Sequence, residues 1–176
     1  MNPIQNIEDL FYHEIQVLWS AESMLVEKMP MMIQRAKNEG LKQLLALHHA
    51  ETQQHKTALE GICKQLDINP AGDFNPGING ILAEGEKVMA KDASDAAMDA
   101  ALIAGAQKVE HYEISGYGTA AYYAEMLGYE GIAQRLRLTL AEEQDADTKL
   151  NFLAIHLINE RALQPMQPAV TQYDRV

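Results

Sequence analysis

The chain has 176 residues, 47% of them hydrophobic and 22% charged, which fits one globular domain with a sizeable core and excludes a wholly disordered chain. Asp plus Glu number 25 against 14 Lys plus Arg, a net charge of −11 that phosphate backbones and anionic lipid repel, so no nucleic acid and no membrane is expected as a partner. The single cysteine, Cys63, excludes an internal disulfide and reads as a small core hydrophobe. The opening MNPIQNIEDL has no basic segment followed by an apolar run, so a cytoplasmic location is expected.

Apolar residues recur at helical spacing in long blocks and nowhere alternate as in strands, so the expected class is all-α. The first helix is predicted from about Pro3 to Asn38, with Pro30 inside it as a kink and Gly40 as its stop. The second runs from about Leu41 to Leu66. A segment dense in turn formers follows, from Asp67 to Gly77, and then a short apolar helix from about Ile78 to Met89. Ser94 or Asp95 caps a third long helix that reaches about Leu127 and closes at Gly128, and the fourth covers about Glu130 to Arg161. Pro165 and Pro168 punctuate a polar tail, so the division is a domain over 1–162 and a C-terminal tail over 163–176. Two helical hairpins joined by a long connection make a four-helix bundle with one crossover carrying a short extra helix.

The apolar stripe of each long helix is interrupted at its middle by acids: Glu22 in the first, Glu51 in the second, Glu110 and Glu113 in the third, Glu143 and Asp147 in the fourth. A buried ionised carboxylate costs several kcal/mol unless it is paired, and no Lys or Arg occupies these stripes. Two divalent cations would supply the missing charge. Carboxylates from all four helices, with a second ligand one turn away on some of them, are the layout of di-iron and di-manganese bundles. Glu51 and His55 are four apart, as are Glu143 and Asp147, a spacing that stacks two side chains on one face. His48, also on the stripe, reads as a hydrogen-bonded core residue, His111 as a residue beside the stripe, and Tyr117 as a core tyrosine whose hydroxyl bonds a ligand carboxylate.

The segment Ala106 to Thr119, AQKVEHYEISGYGT, strongly resembles the hallmark segment of the YciE/YciF family of ferritin-like stress proteins. Ser20-Ala21-Glu22, Glu51-Thr52 with His55, Leu127-Gly128-Tyr129 and the stretch from Thr139 to Asp147 fall where that family has its other recurring segments, so the resemblance spans about residues 4 to 160. It implies a rubrerythrin-like or ferritin-like bundle, a homodimer, and an association with stress responses that is often described as ferroxidase-like. Carried over residue by residue, it implies the ligand set Glu22, Glu51, His55, Glu110, Glu113, Glu143 and Asp147, the same set that the stripes single out. Asp147 departs from the wider di-iron pattern, in which a second His stands there. Six carboxylates leave two divalent ions net negative by two, and oxygen-rich ligation favours Mn and ferric iron.

The expected function is therefore a redox protein with two metal ions, iron first and manganese second. Dioxygen or hydrogen peroxide, and Fe(II), are its expected reactants, with Glu51 and Glu143 as bridges and the other five residues as terminal ligands. The alternatives are manganese-catalase-like dismutation of peroxide, and a non-catalytic stress-associated dimer holding a structural ion such as zinc or calcium.

Overall fold

A computed structural model describes residues 4–163; the expected tail lies outside the described residues except for Leu163. Five helices carry the fold: α1 Ile7–Arg35, α2 Glu39–Gln65, α3 Pro76–Met89, α4 Asp95–Met126 and α5 Glu130–Leu153. A π-helical turn, Ala154–Ile158, and a last helical turn, Asn159–Ala162, extend α5. Among the described residues there is no strand, and no helix is long and apolar enough to cross a membrane. The expected all-α bundle with a crossover is what forms.

α1 lies beside α2 and α4, and α5 lies beside the same two, which closes a ring of four helices; α3 covers the seam between α1 and α4. The helix starts follow from local chemistry, since the side chains of Asn6, Asn38, Asn75 and Ser94 each accept a backbone N–H of the first turn. Gly128 takes φ 77°, the left-handed value that ends α4 and lets Tyr129 reverse the chain.

The first hairpin turns earlier than the sequence predicts. α1 stops at Arg35, Asn38 is the cap that begins α2 rather than the end of α1, and Gly40 lies within the first turn of α2 rather than stopping a helix. The reason is tertiary: the buried carboxylate of Asp99 on α4 accepts the N–H groups of Lys37 and Asn38 at 2.7 and 2.9 Å. α1 runs through Pro30, whose ring is exposed, as one helix.

Apolar packing occurs in two end layers and a third cluster, Ala21, Leu25, Met29, Ile78 and Val109, beneath α3. Phe11, Ile15, Leu18, Leu59, Tyr117 and Leu136 fill one end of the bundle, and Leu41, Leu45, Leu102, Ile103 and Leu150 fill the other. The acids lie between these layers.

Candidate metal centre

On α2 the buried stripe runs His48, Thr52, His55, Leu59, Ile62, with steps of three and four. Thr52 donates its hydroxyl to the His48 carbonyl at 2.9 Å, so only its small side chain separates two imidazoles that point the same way two turns apart. α1 contributes Glu22 between Ala21 and Leu25, α4 contributes Glu110 and Glu113, and α5 contributes Glu143 between Leu136 and Leu150. Glu22, Glu110, Glu113, Glu143, His48 and His55 are all buried.

Their contacts form two groups that share one residue. His48, Glu110, Glu113 and Glu143 each offer a ligand atom, all within 4.8 Å of one another, and Glu22, His55 and Glu143 do the same. His48 Nε2 lies 3.1 Å from Glu110 Oε1 and 3.7 Å from Glu143 Oε2, while His55 Nδ1 lies 2.9 Å from Glu143 Oε1 and 3.6 Å from Glu22 Oε1. Tyr117 donates its hydroxyl to Glu22 Oε1, the kind of contact expected of it.

Glu51 and Asp147 stand apart from this inner set. Glu51 is 29% exposed and its Oε2 is 3.6 Å from His48 Nδ1; Asp147 is 20% exposed, accepts from Gln107 Nε2 at 3.1 Å and lies 3.7 Å from His111. Helix geometry is the cause. With His48, Thr52 and His55 on the centre line of α2, position 51 falls at its edge, and with Glu143, Ala146 and Leu150 on the line of α5, position 147 does too.

The inner set is electrostatically incomplete by itself. Both oxygens of Glu113 and of Glu143, one oxygen each of Glu22 and Glu110, and Nδ1 of both histidines are buried without a hydrogen-bond partner. Native interiors rarely leave such groups unsatisfied. Burial pushes Glu22 and Glu113 above the usual carboxylate range, with like-charged neighbours adding to it, and raises Glu110 from 4.5 to about 7. Burial opposes charge on His55, but Glu143 and Glu22 outweigh it and raise the ring from 6.5 to about 10; His48 is raised by Glu110 and Glu51 against the same opposition. Tyr117 stays a neutral donor, its ionisation opposed by burial and by Glu22.

Four carboxylates and two neutral imidazoles carry a charge of −4, which two divalent cations cancel. The residues therefore fit a two-ion centre in number, charge and chemistry, with Glu143 common to both positions. The six-carboxylate imbalance disappears when Glu51 and Asp147 stay at the edge and His48 enters. Sequence alone singles out neither His48 nor Glu142 as part of this cluster. His48 was on the stripe, and its seven-residue spacing to His55 with a small residue between was the usable signal. Glu142, whose Oε2 lies 2.9 Å from His55 Nε2, is off every stripe.

Residues 6–163 match the DUF892 family, described as a domain of unknown function. Protein YciF of Escherichia coli (strain K12) is 36% identical over 167 residues, covering 90% of this chain and 96% of YciF. The chain belongs to the YciF family. Among solved structures, the crystal structure of the E. coli stress protein YciF superposes with a TM-score of 0.85 at 35% identity, covering 89% of this chain and 99% of that one. YcfI of Rhodopseudomonas palustris, a candidate structural protein, superposes with a TM-score of 0.82 at 39% identity over 85% of this chain and 96% of its own. The family assignment thus covers the whole bundle, including all four helices that bear the acids.

Proposed function

We propose that this YciF-family protein is a ferritin-like di-metal protein, iron first and manganese second, that reacts with dioxygen or hydrogen peroxide and serves in a stress response as a ferroxidase-like or peroxidase-like oxidoreductase. The observation that carries this reading is Glu113, fully buried with both carboxylate oxygens unpartnered beside three further buried carboxylates. Among the described residues no Lys or Arg forms an ion pair with any of the four.

His48, Glu110, Glu113 and Glu143 would hold one ion, and Glu22, His55 and Glu143 the other. Two bound Fe(II) ions would each supply one electron, which with two protons reduces one hydrogen peroxide to two waters. The protein's part is positional. Tyr117 keeps its proton and fixes Glu22, while the apolar layers on either side exclude bulk water. The two half-exposed acids, Glu51 and Asp147, mark the wetter side of the cluster, and a surface of net charge −11 raises the local concentration of divalent cations.

A structural ion is the second reading, and the complete burial of Glu22 and Glu143 favours it, because a structural ion needs no route for an oxidant. Manganese-catalase-like dismutation is the third. Elemental analysis of protein purified without chelator, then Fe(II) oxidation and peroxide consumption by the loaded protein, tests all three. Two ions per chain with Fe(II) oxidation faster than the buffer rate supports the first reading. Oxygen release from peroxide by the manganese form points to dismutation, and tightly held zinc or calcium with neither reaction overturns the redox reading. The homodimer and the cytoplasmic location belong to the same proposal, the former checked by light scattering.

A further inference from the structure

Glu142 and Glu143 are consecutive on α5, so their side chains leave the helix about 100° apart. Both nevertheless reach one ring. Glu143 Oε1 stands 2.9 Å from His55 Nδ1, inside the cluster, and Glu142 Oε2 stands 2.9 Å from His55 Nε2, at the seam between α2 and α5. The His55 side chain is only 1% exposed, whereas that of Glu142 is 44% exposed. Tyr117 packs edge-on against the same ring, with centroids 6.2 Å apart, and closes off its flank.

A neutral imidazole carries its hydrogen on one nitrogen and a lone pair on the other. Carboxylates face both nitrogens of His55, and an ion arriving between Nδ1, Glu143 and Glu22 would displace any hydrogen there; Glu142, which only accepts, then keeps the remaining hydrogen on Nε2 and leaves the Nδ1 lone pair to the ion. His55 Nδ1 makes no aligned hydrogen bond, even to Glu143 Oε1 at 2.9 Å, so nothing in the cluster holds it away from an ion.

We propose that Glu142 is a positioning residue for the candidate centre: by accepting the Nε2 hydrogen of His55, it fixes the ring so that Nδ1 is the ligating atom of the Glu22, His55 and Glu143 position. This role rests on the two-metal reading above. Carboxylates that hold a ligating histidine from behind typically contribute 10–100-fold in metal affinity. The second position, built on His48, has no contact with Glu142, so the effect falls on one ion of two.

Co(II) is the probe, added to metal-free wild type, Glu142→Ala and Glu142→Gln, with affinities from chelator competition, the visible spectrum of each bound ion and a thermal melt of each metal-free protein. Glu142→Ala is expected to weaken one of two Co(II) affinities about 10–100-fold and change that ion's spectrum, with the other ion unchanged and the metal-free protein still folded at a somewhat lower melting temperature. Glu142→Gln, whose side-chain carbonyl still accepts from Nε2, is expected to restore most of the affinity and the spectrum. Two unchanged affinities in Glu142→Ala overturn the role while leaving the two-metal reading in place. An equal fall in both, or no rescue by Gln, also overturns it, because either marks a general structural effect. Wild type that takes up no Co(II) overturns the two-metal reading itself, and the role of Glu142 with it.

Discussion

Tyr117 on α4 donates its hydroxyl hydrogen to Glu22 on α1, and both side chains are buried in the middle of the bundle. It is the one hydrogen bond that Glu22 makes within the cluster, its other oxygen having no partner. Tyr117→Phe removes the donor and leaves a buried carboxylate bare. The metal-free variant is expected to lose about 1–3 kcal/mol at neutral pH in urea unfolding. The metal-loaded variant should lose less, because a bound ion takes over Glu22. An unchanged metal-free stability would show that the contact carries no weight.

The pH dependence of the metal-free protein follows from the shifted groups. Glu110, raised by burial from 4.5 to about 7, and Glu113, raised likewise, contribute stability that is complete below 4.5 and lost as pH climbs through their folded values. His55, raised to about 10, contributes stability that is complete below 6.5 and lost as pH climbs toward 10, and His48, also raised by its carboxylate neighbours, has the same sign. Glu51 has the opposite sign: lowered by His48, it contributes above 4.5 and loses that contribution as pH falls. Metal-free protein should therefore be most stable near about pH 5 and weaken steadily toward pH 9. Urea unfolding at three pH values checks this, and stability rising from pH 5 to pH 9 would contradict it.

Metal binding should release protons. His48 and His55 are held protonated at neutral pH by their carboxylate neighbours, and neither can ligate through a protonated nitrogen. Calorimetric titration with Mn(II) at pH 7, repeated in buffers of different ionisation enthalpy, should count about two or more protons per pair of ions. Uptake without proton release would place the ions elsewhere.

The edge acids and the inner acids should separate by mutation. Glu113→Gln and Glu143→Gln are expected to abolish binding of at least one ion. Glu51→Gln and Asp147→Asn should weaken it without abolishing either ion, by at most about 10–100-fold, since edge carboxylates act through neighbours. Glu113→Gln should also flatten the alkaline loss of metal-free stability, because it removes a group whose ionisation burial opposes. If Asp147→Asn matches Glu143→Gln, Asp147 is a ligand after all.

Gly116 lets α4 approach α1. A Cβ built there would lie 2.9 Å from Leu18 Cδ2, in the apolar layer next to Glu22 and Glu113. Gly116→Val should destabilise the protein by about 1–3 kcal/mol in a thermal or urea melt, outweighing the gain in helix propensity.

Much of this molecule is legible in the chain because helical period and burial state the same thing: a stripe that is apolar at both ends and acidic in the middle announces a buried polar layer. What escapes is whatever depends on a partner far along the chain. Asn38 looks like the end of one helix until Asp99, 61 residues away, is seen to hold its N–H and turn the chain. Glu51 and His48 are both spaced to share a face with His55, and only the packing of α5 decides that His48 lies on the centre line. Glu142 carries no sequence signal at all, because a half-exposed acid on a charged helix is commonplace and its meaning lies in the ring it meets 87 residues away.

The long crossover imposes an order on synthesis. The hairpin of α1 and α2 is complete at Gln65, yet Glu143, which both groups share, is 78 residues further on. At about 5–20 residues per second, the ribosome needs roughly 4–16 s to cover that distance. Throughout that interval Glu22, His48 and His55 lack the Glu143 carboxylate that they face in the finished bundle. If the proposed centre is filled, filling would follow translation of the second hairpin, and the free-metal pool at that moment would bear on which ion is enclosed, together with the affinity of the finished bundle.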